Sequence, residues 1–114
     1  MVRRLRRIGR GRVRGRLYDL GEYPGAVLSK TGPVILGQIS ELPDDPEVLE
    51  KLDEYEGFDP ARPKHSLFVR KRHPVSLAGG KEMVCWIYTY NRHPGASPRL
   101  TGRRFSERKK QRVR

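Results

Sequence analysis

Glu56 is the acid whose position most invites a chemical role, because it follows Tyr55 and closes an expected helix beside Gly57 and Phe58. A carboxylate there opposes the negative end of the helix dipole, a placement that works against stability and suits a group used for proton transfer. The alternative is a side chain that only points to solvent, and the residues alone leave both open. Other chemistries find less support. His65, His73 and His93 stand eight and twenty residues apart in separate segments with no paired cysteine or carboxylate, so a metal centre is not expected. Cys85, between Val84 and Trp86, reads as a buried inert thiol rather than a nucleophile. Gly9-x-Gly11 has no helix after it to cradle a phosphate, and Gly79-Gly80 reads as a hairpin turn. Arg70 and Arg72 are candidate partners for a small anion, or else a solvated strand edge.

The elements that must position these groups are strands around one helix. Residues 12–18 alternate cationic with apolar or small residues, which predicts a strand with Val13, Gly15 and Leu17 on one face. Ala26-Val27-Leu28 predicts a short strand, and residues 34–40, rich in β-branched side chains, a third. A helix is predicted over 45–55: Asp44 or Asp45 can cap, Pro46 fits the first turn, and Gly57 stops the run. Its apolar stripe is Val48, Leu49, Leu52 and Tyr55. Strands near 67–77 and 83–90 complete an α+β domain with a mixed, mainly antiparallel sheet, small and barrel-like, and one main helix. Leu17, Ile35, Leu52, Val84 and Ile87 are the expected core.

The charge is strongly segregated. Of the net +12, residues 1–16 hold eight arginines and no acid, residues 97–114 hold +7, and residues 17–96 carry −3. The expected organisation is therefore a basic arm over 1–11, a domain over 12–102 and a basic tail over 103–114. Such ends could hold nucleic acid weakly and without sequence preference, or act as solvated tails. The single cysteine excludes a disulfide scaffold, and no apolar run reaches the ~20 residues of a membrane helix. A cytoplasmic protein without a membrane partner is expected.

Three segments carry a family resemblance: residues 15–26, GRLYDLGEYPGA; residues 52–60, LDEYEGFDP; and residues 86–91, WIYTYN. Together they resemble the gamma-glutamylcyclotransferase-like family, which includes gamma-glutamylamine cyclotransferases, over roughly residues 12–104. The resemblance implies a small β-barrel with a cavity at one end. It also implies intramolecular aminolysis of a γ-glutamyl amine or peptide to 5-oxoproline and a free amine, without metal or organic cofactor. Glu56 falls at the family's catalytic acid/base position, and Tyr23, Gly25 and Tyr88 fall in the segments expected to meet the small γ-glutamyl substrate.

Two departures qualify what is implied. The Tyr-Gly-x-Leu loop whose amides bind substrate in the family does not occur in this sequence, and Phe68 stands where relatives usually have Tyr. The first departure implies either a start further upstream or a short form with impaired activity, and it leaves a sheet edge for which a homodimer is the simplest cover. Three readings therefore stand: a cyclotransferase-like enzyme, an inactive small-metabolite-binding protein, and a nucleic-acid-associated protein working through its basic termini.

Overall fold

The computed structural model describes residues 5–100 and the backbone of residues 112–113. The alternation at the N-terminus becomes one long strand, β1 (Arg7–Asp19), in which Gly11, Val13, Gly15 and Leu17 are buried while the arginines between them point outward. It starts five residues before the expected position, so residues 7–11, read from sequence as an arm, are paired in the sheet. β1 pairs antiparallel with β2 (Pro24–Leu28) along its C-terminal half and, on from there, with β3 (Val34–Ser40) along its N-terminal half. β4 (Phe68–Ser76) and β5 (Glu82–Tyr90) form a hairpin in unbroken register from Phe68↔Tyr90 to Ser76↔Glu82.

Two short strands complete the sheet. β6 (Arg99–Leu100) pairs with Leu17 and Tyr18, and the backbone of β7 (Arg112–Val113) lies parallel to β3 and antiparallel to β5. A single bridge, Arg12↔Ser76, brings β4 beside β1. The expected α+β class is observed, with a mainly antiparallel sheet and one α-helix among the described residues, α1 (Pro46–Glu56). No helix among these residues is long and apolar enough to cross a membrane.

The period-2 geometry of strands divides the interior into two clusters. On one face of the sheet Val13, Leu17, Ala26, Ile35, Ile39, Val75, Cys85 and Ile87 pack together. Burial there pushes the Cys85 thiol up and keeps it protonated, the inert thiol expected. On the other face, Phe68 and Tyr88 meet Val48 and Leu52 of α1. Each such fully buried apolar side chain is worth about 1.5–3 kcal/mol.

Leu17, Ile35, Leu52 and Ile87 are buried as expected, but Val84 is 56% exposed. α1 is 11 residues long, about 16 Å, whereas the nine residues of β5 run about 30 Å. The helix covers the Phe68/Tyr88 end of the hairpin and leaves Val84, opposite Pro74, open to solvent.

Candidate active site

The end of α1 is built by local rules. Asp45 caps the start by accepting a hydrogen bond from the Glu47 amide, Pro46 occupies the first turn, and Glu47 meets the positive end of the dipole. Gly57 terminates the helix in the left-handed region at φ 77°, and the Phe58 amide donates back to the Asp53 carbonyl at 2.8 Å. A side chain at Gly57 would be strained by that φ. The Leu67 amide then donates to the Gly57 carbonyl, so the helix end is tied to the segment entering β4. Glu56, the last helical residue, is half-buried at this fixed terminus.

One helical turn before it lies a group that the sequence reading passed over. Asp53 is 5% exposed and accepts from Arg70 Nε at 2.8 Å and Nη2 at 3.2 Å. The Tyr88 hydroxyl donates to Asp53 Oδ1 at 2.6 Å. This fork neutralises a buried carboxylate that would otherwise be very costly. Arg70 is held in turn between aromatic faces, its guanidinium carbon 4.2 Å from the Trp86 ring centre and 5.5 Å from that of Phe58. Arg70 is thus a half-buried, paired residue rather than a solvated strand edge, and its charge is already answered by Asp53. Arg72 remains exposed, its guanidinium carbon 5.4 Å from the Trp86 ring centre.

Asp53 takes the place in the buried helix face that the apolar stripe assigned to Tyr55, which is 60% exposed. The signal available is Arg70, a cation on the strand face that also carries Phe68, but its partner lies 17 residues away and nothing local joins them.

The other expected site residues fall in two places. Tyr88 is buried beneath α1 with its hydroxyl on Asp53. Tyr23 is 41% exposed and packs edge-on against Phe68, with ring centres 5.8 Å apart, and Phe68 lies 5.5 Å from Tyr90. Gly25 adjoins this row: a Cβ there would come within 2.6 Å of Leu20 Cδ1 and 3.1 Å of Tyr90 Cβ. Phe68 therefore links the two groups, touching Tyr23 and Tyr90 while sharing the α1 cluster with Tyr88.

A cavity of about 610 Å³ opens beside the helix end, lined by Asp53, Glu54, Gly57, Phe58, Arg62 and His65 among others. Glu56 is not in its lining. The loop forming its outer wall is fixed by Ser66, whose hydroxyl accepts from the Asp59 amide, and by Arg92, which donates to the carbonyls of His65 and Ser66.

With this geometry in place, comparison with known proteins gives one finding. The model of the family described as gamma-glutamyl cyclotransferase, AIG2-like, matches residues 1–107, and the chain belongs to that family. No curated protein and no solved structure matches the chain.

Proposed function

We propose, from membership of the gamma-glutamyl cyclotransferase, AIG2-like family, that this chain closes a γ-glutamyl amine or peptide into 5-oxoproline and releases the amine. The substrate's α-amine nitrogen attacks its own γ-carbonyl carbon, a new C–N bond closes the five-membered lactam, and the bond from that carbon to the leaving nitrogen breaks. The α-ammonium nitrogen loses two protons on its way to the lactam N–H: Glu56 takes one and returns it to the leaving nitrogen, and the other ends on the released amine, which departs as its ammonium, so protons balance and Glu56 is regenerated without a metal or organic cofactor. Ring closure gains further because nucleophile and electrophile share one molecule.

The observation that carries this reading is the family match over residues 1–107, which includes Glu56 within its LDEYEG segment. The local structure supports it. Glu56 sits one turn from Asp53, which is clamped to β4 and β5, so the helix end that carries the carboxylate is rigidly mounted. Tyr88 and Arg70 act in this scheme as positioning residues behind that end. Tyr23, exposed beside Phe68, offers its hydroxyl to substrate, and Gly25 lets β2 approach Tyr90 closely. The closed barrel of the family belongs to the same proposal, supported by the β1–β4 bridge. Cys85 as a free thiol fits a reducing, cytoplasmic setting.

The test is release of 5-oxoproline from a panel of γ-glutamyl amines and peptides, with Glu56→Gln beside the wild type. Turnover by the wild type that falls about 10²-fold or more in the variant is expected. A wild type inert toward the whole panel overturns the enzyme reading, and a Gln variant that keeps full turnover removes Glu56 from the chemistry.

A further inference from the structure

The outward face of β1 carries Arg10, Arg12, Arg14 and Arg16 at every second residue, with the first three exposed and Arg16 half-buried. Their cross-strand partners are Gln38, Leu36 and Val34 on β3 and Val27 on β2, none of which is an acid. Ion pairs among the described residues join Arg6 to Glu41 and Arg70 to Asp53, and neither draws on this row. The Arg14 side chain donates from Nη1 to the Gly32 carbonyl at 3.2 Å.

The row continues into a groove. Beyond the Arg12↔Ser76 bridge β1 and β4 diverge, leaving a cavity of about 710 Å³ in which Arg12 and Arg14 are joined by Lys30, Lys71 and His73, with Glu82 as the acid in its lining. Like charges at a two-residue strand repeat of about 6.8 Å repel one another, and nothing on the neighbouring strands compensates them. From Arg10 to Arg16 the row is about 20 Å long. A single phosphate or a small carboxylate substrate can meet only one or two of these groups. A linear polyanion meets them all, and 20 Å corresponds to about six nucleotides at the 3.4 Å repeat of one strand.

We propose that the outward face of β1 and the adjoining groove bind the phosphodiester backbone of a nucleic acid. The site differs from the basic termini in being built on a paired strand, and it stands independently of the proposed cyclotransferase chemistry. Contacts from arginine to phosphate fix a strand's position without reading bases, so the binding is without sequence preference. It is also strongly salt-dependent, because each neutralised phosphate releases counterions.

The test uses the full chain and fluorescein-labelled RNA, single-stranded DNA and duplex DNA of about 20 nucleotides, followed by anisotropy from about 50 to 300 mM KCl. Binding should weaken steeply with salt. The double variant Arg12→Gln/Arg14→Gln should lose about tenfold in affinity at low salt, and its log–log salt slope should fall by about 1.4–1.8. A Lys30→Gln/Lys71→Gln variant should show a loss in the same direction, which keeps the test readable if the first variant misfolds. The preference among the three probes identifies which nucleic acid the face takes. No wild-type binding to any probe at low salt overturns the proposal. So does an unchanged affinity and slope in both folded variants, with binding lost instead in Arg108→Gln/Lys109→Gln/Lys110→Gln, and so does equal binding to phosphatidylserine vesicles with the same sensitivity to Arg12 and Arg14.

Discussion

Arg70 and Arg14 are the same side chain in opposed settings. Arg70 lies under α1 with its fork on a buried carboxylate and its plane against Trp86, so its charge is spent within the fold. Arg14 stands on an open strand face among other arginines, with its guanidinium donating to a backbone carbonyl. The two regions differ accordingly. At the helix end, charge, hydrogen bond and aromatic packing are mutually satisfied and hold geometry fixed. Along β1 the charge is left unsatisfied by the neighbouring strands and is available to something outside. Cationic composition therefore says little until each guanidinium's partner is known.

The sharpest way to break this contrast is to remove the acid that satisfies Arg70. Asp53→Ala leaves a half-buried guanidinium and a buried phenol without their acceptor, and a loss of about 3–5 kcal/mol in urea unfolding is expected. The pair Asp53→Leu/Arg70→Met should lose much less than the single variants sum to, which would assign the cost to the uncompensated charge. Tyr88→Phe removes one charge-assisted hydrogen bond while keeping the ring, and about 1.5–3 kcal/mol is expected by the same measurement. Gly25→Ala forces a methyl group against Leu20 and Tyr90 and should cost about 1–2 kcal/mol in thermal melts. Arg14→Gln should change stability by less than about 0.5 kcal/mol, because the exposed side chain meets no acid. Should Arg14→Gln cost as much as Tyr88→Phe, the β1 face is structural and the contrast fails.

The sequence carried the elements better than the pairing between them. α1 was legible because Asp45, Pro46, Glu47 and Gly57 act within a few residues of where they stand. β1 is legible on its inner face because burial alternates as the side chains do, but its start is not: Gly9 and Gly11 blur the pattern just where they pair with Ile39 and Gly37. Val84 was assigned to the core on hydrophobicity, whereas its exposure depends on how far a short helix reaches across β5, which no local pattern encodes. Asp53 was missed for the complementary reason. An acid on a helix reads as a solvent-facing residue until a cation and a phenol 17 and 35 residues away turn toward it. Glu56 could be singled out from its place at the helix end and from the family segment around it, while Tyr88 needed the fold to show which group its hydroxyl meets.

β1 changes partner in mid-strand without a break: Arg14 is the last residue paired with β3 and Gly15 the first paired with β2. The junction is stitched by the Gly15 amide donating to Pro33, the Ser29 amide donating to Arg14, and the backbone of Gly32 lying so close to Gly15 that an added Cβ would come within 2.8 Å of its carbonyl oxygen. Neither partner strand can peel away without disturbing the backbone that the other depends on. Amide protons from Arg10 to Leu17 should therefore exchange with solvent as one cooperative unit, at rates set by a shared opening rather than by the separate fraying of two hairpins.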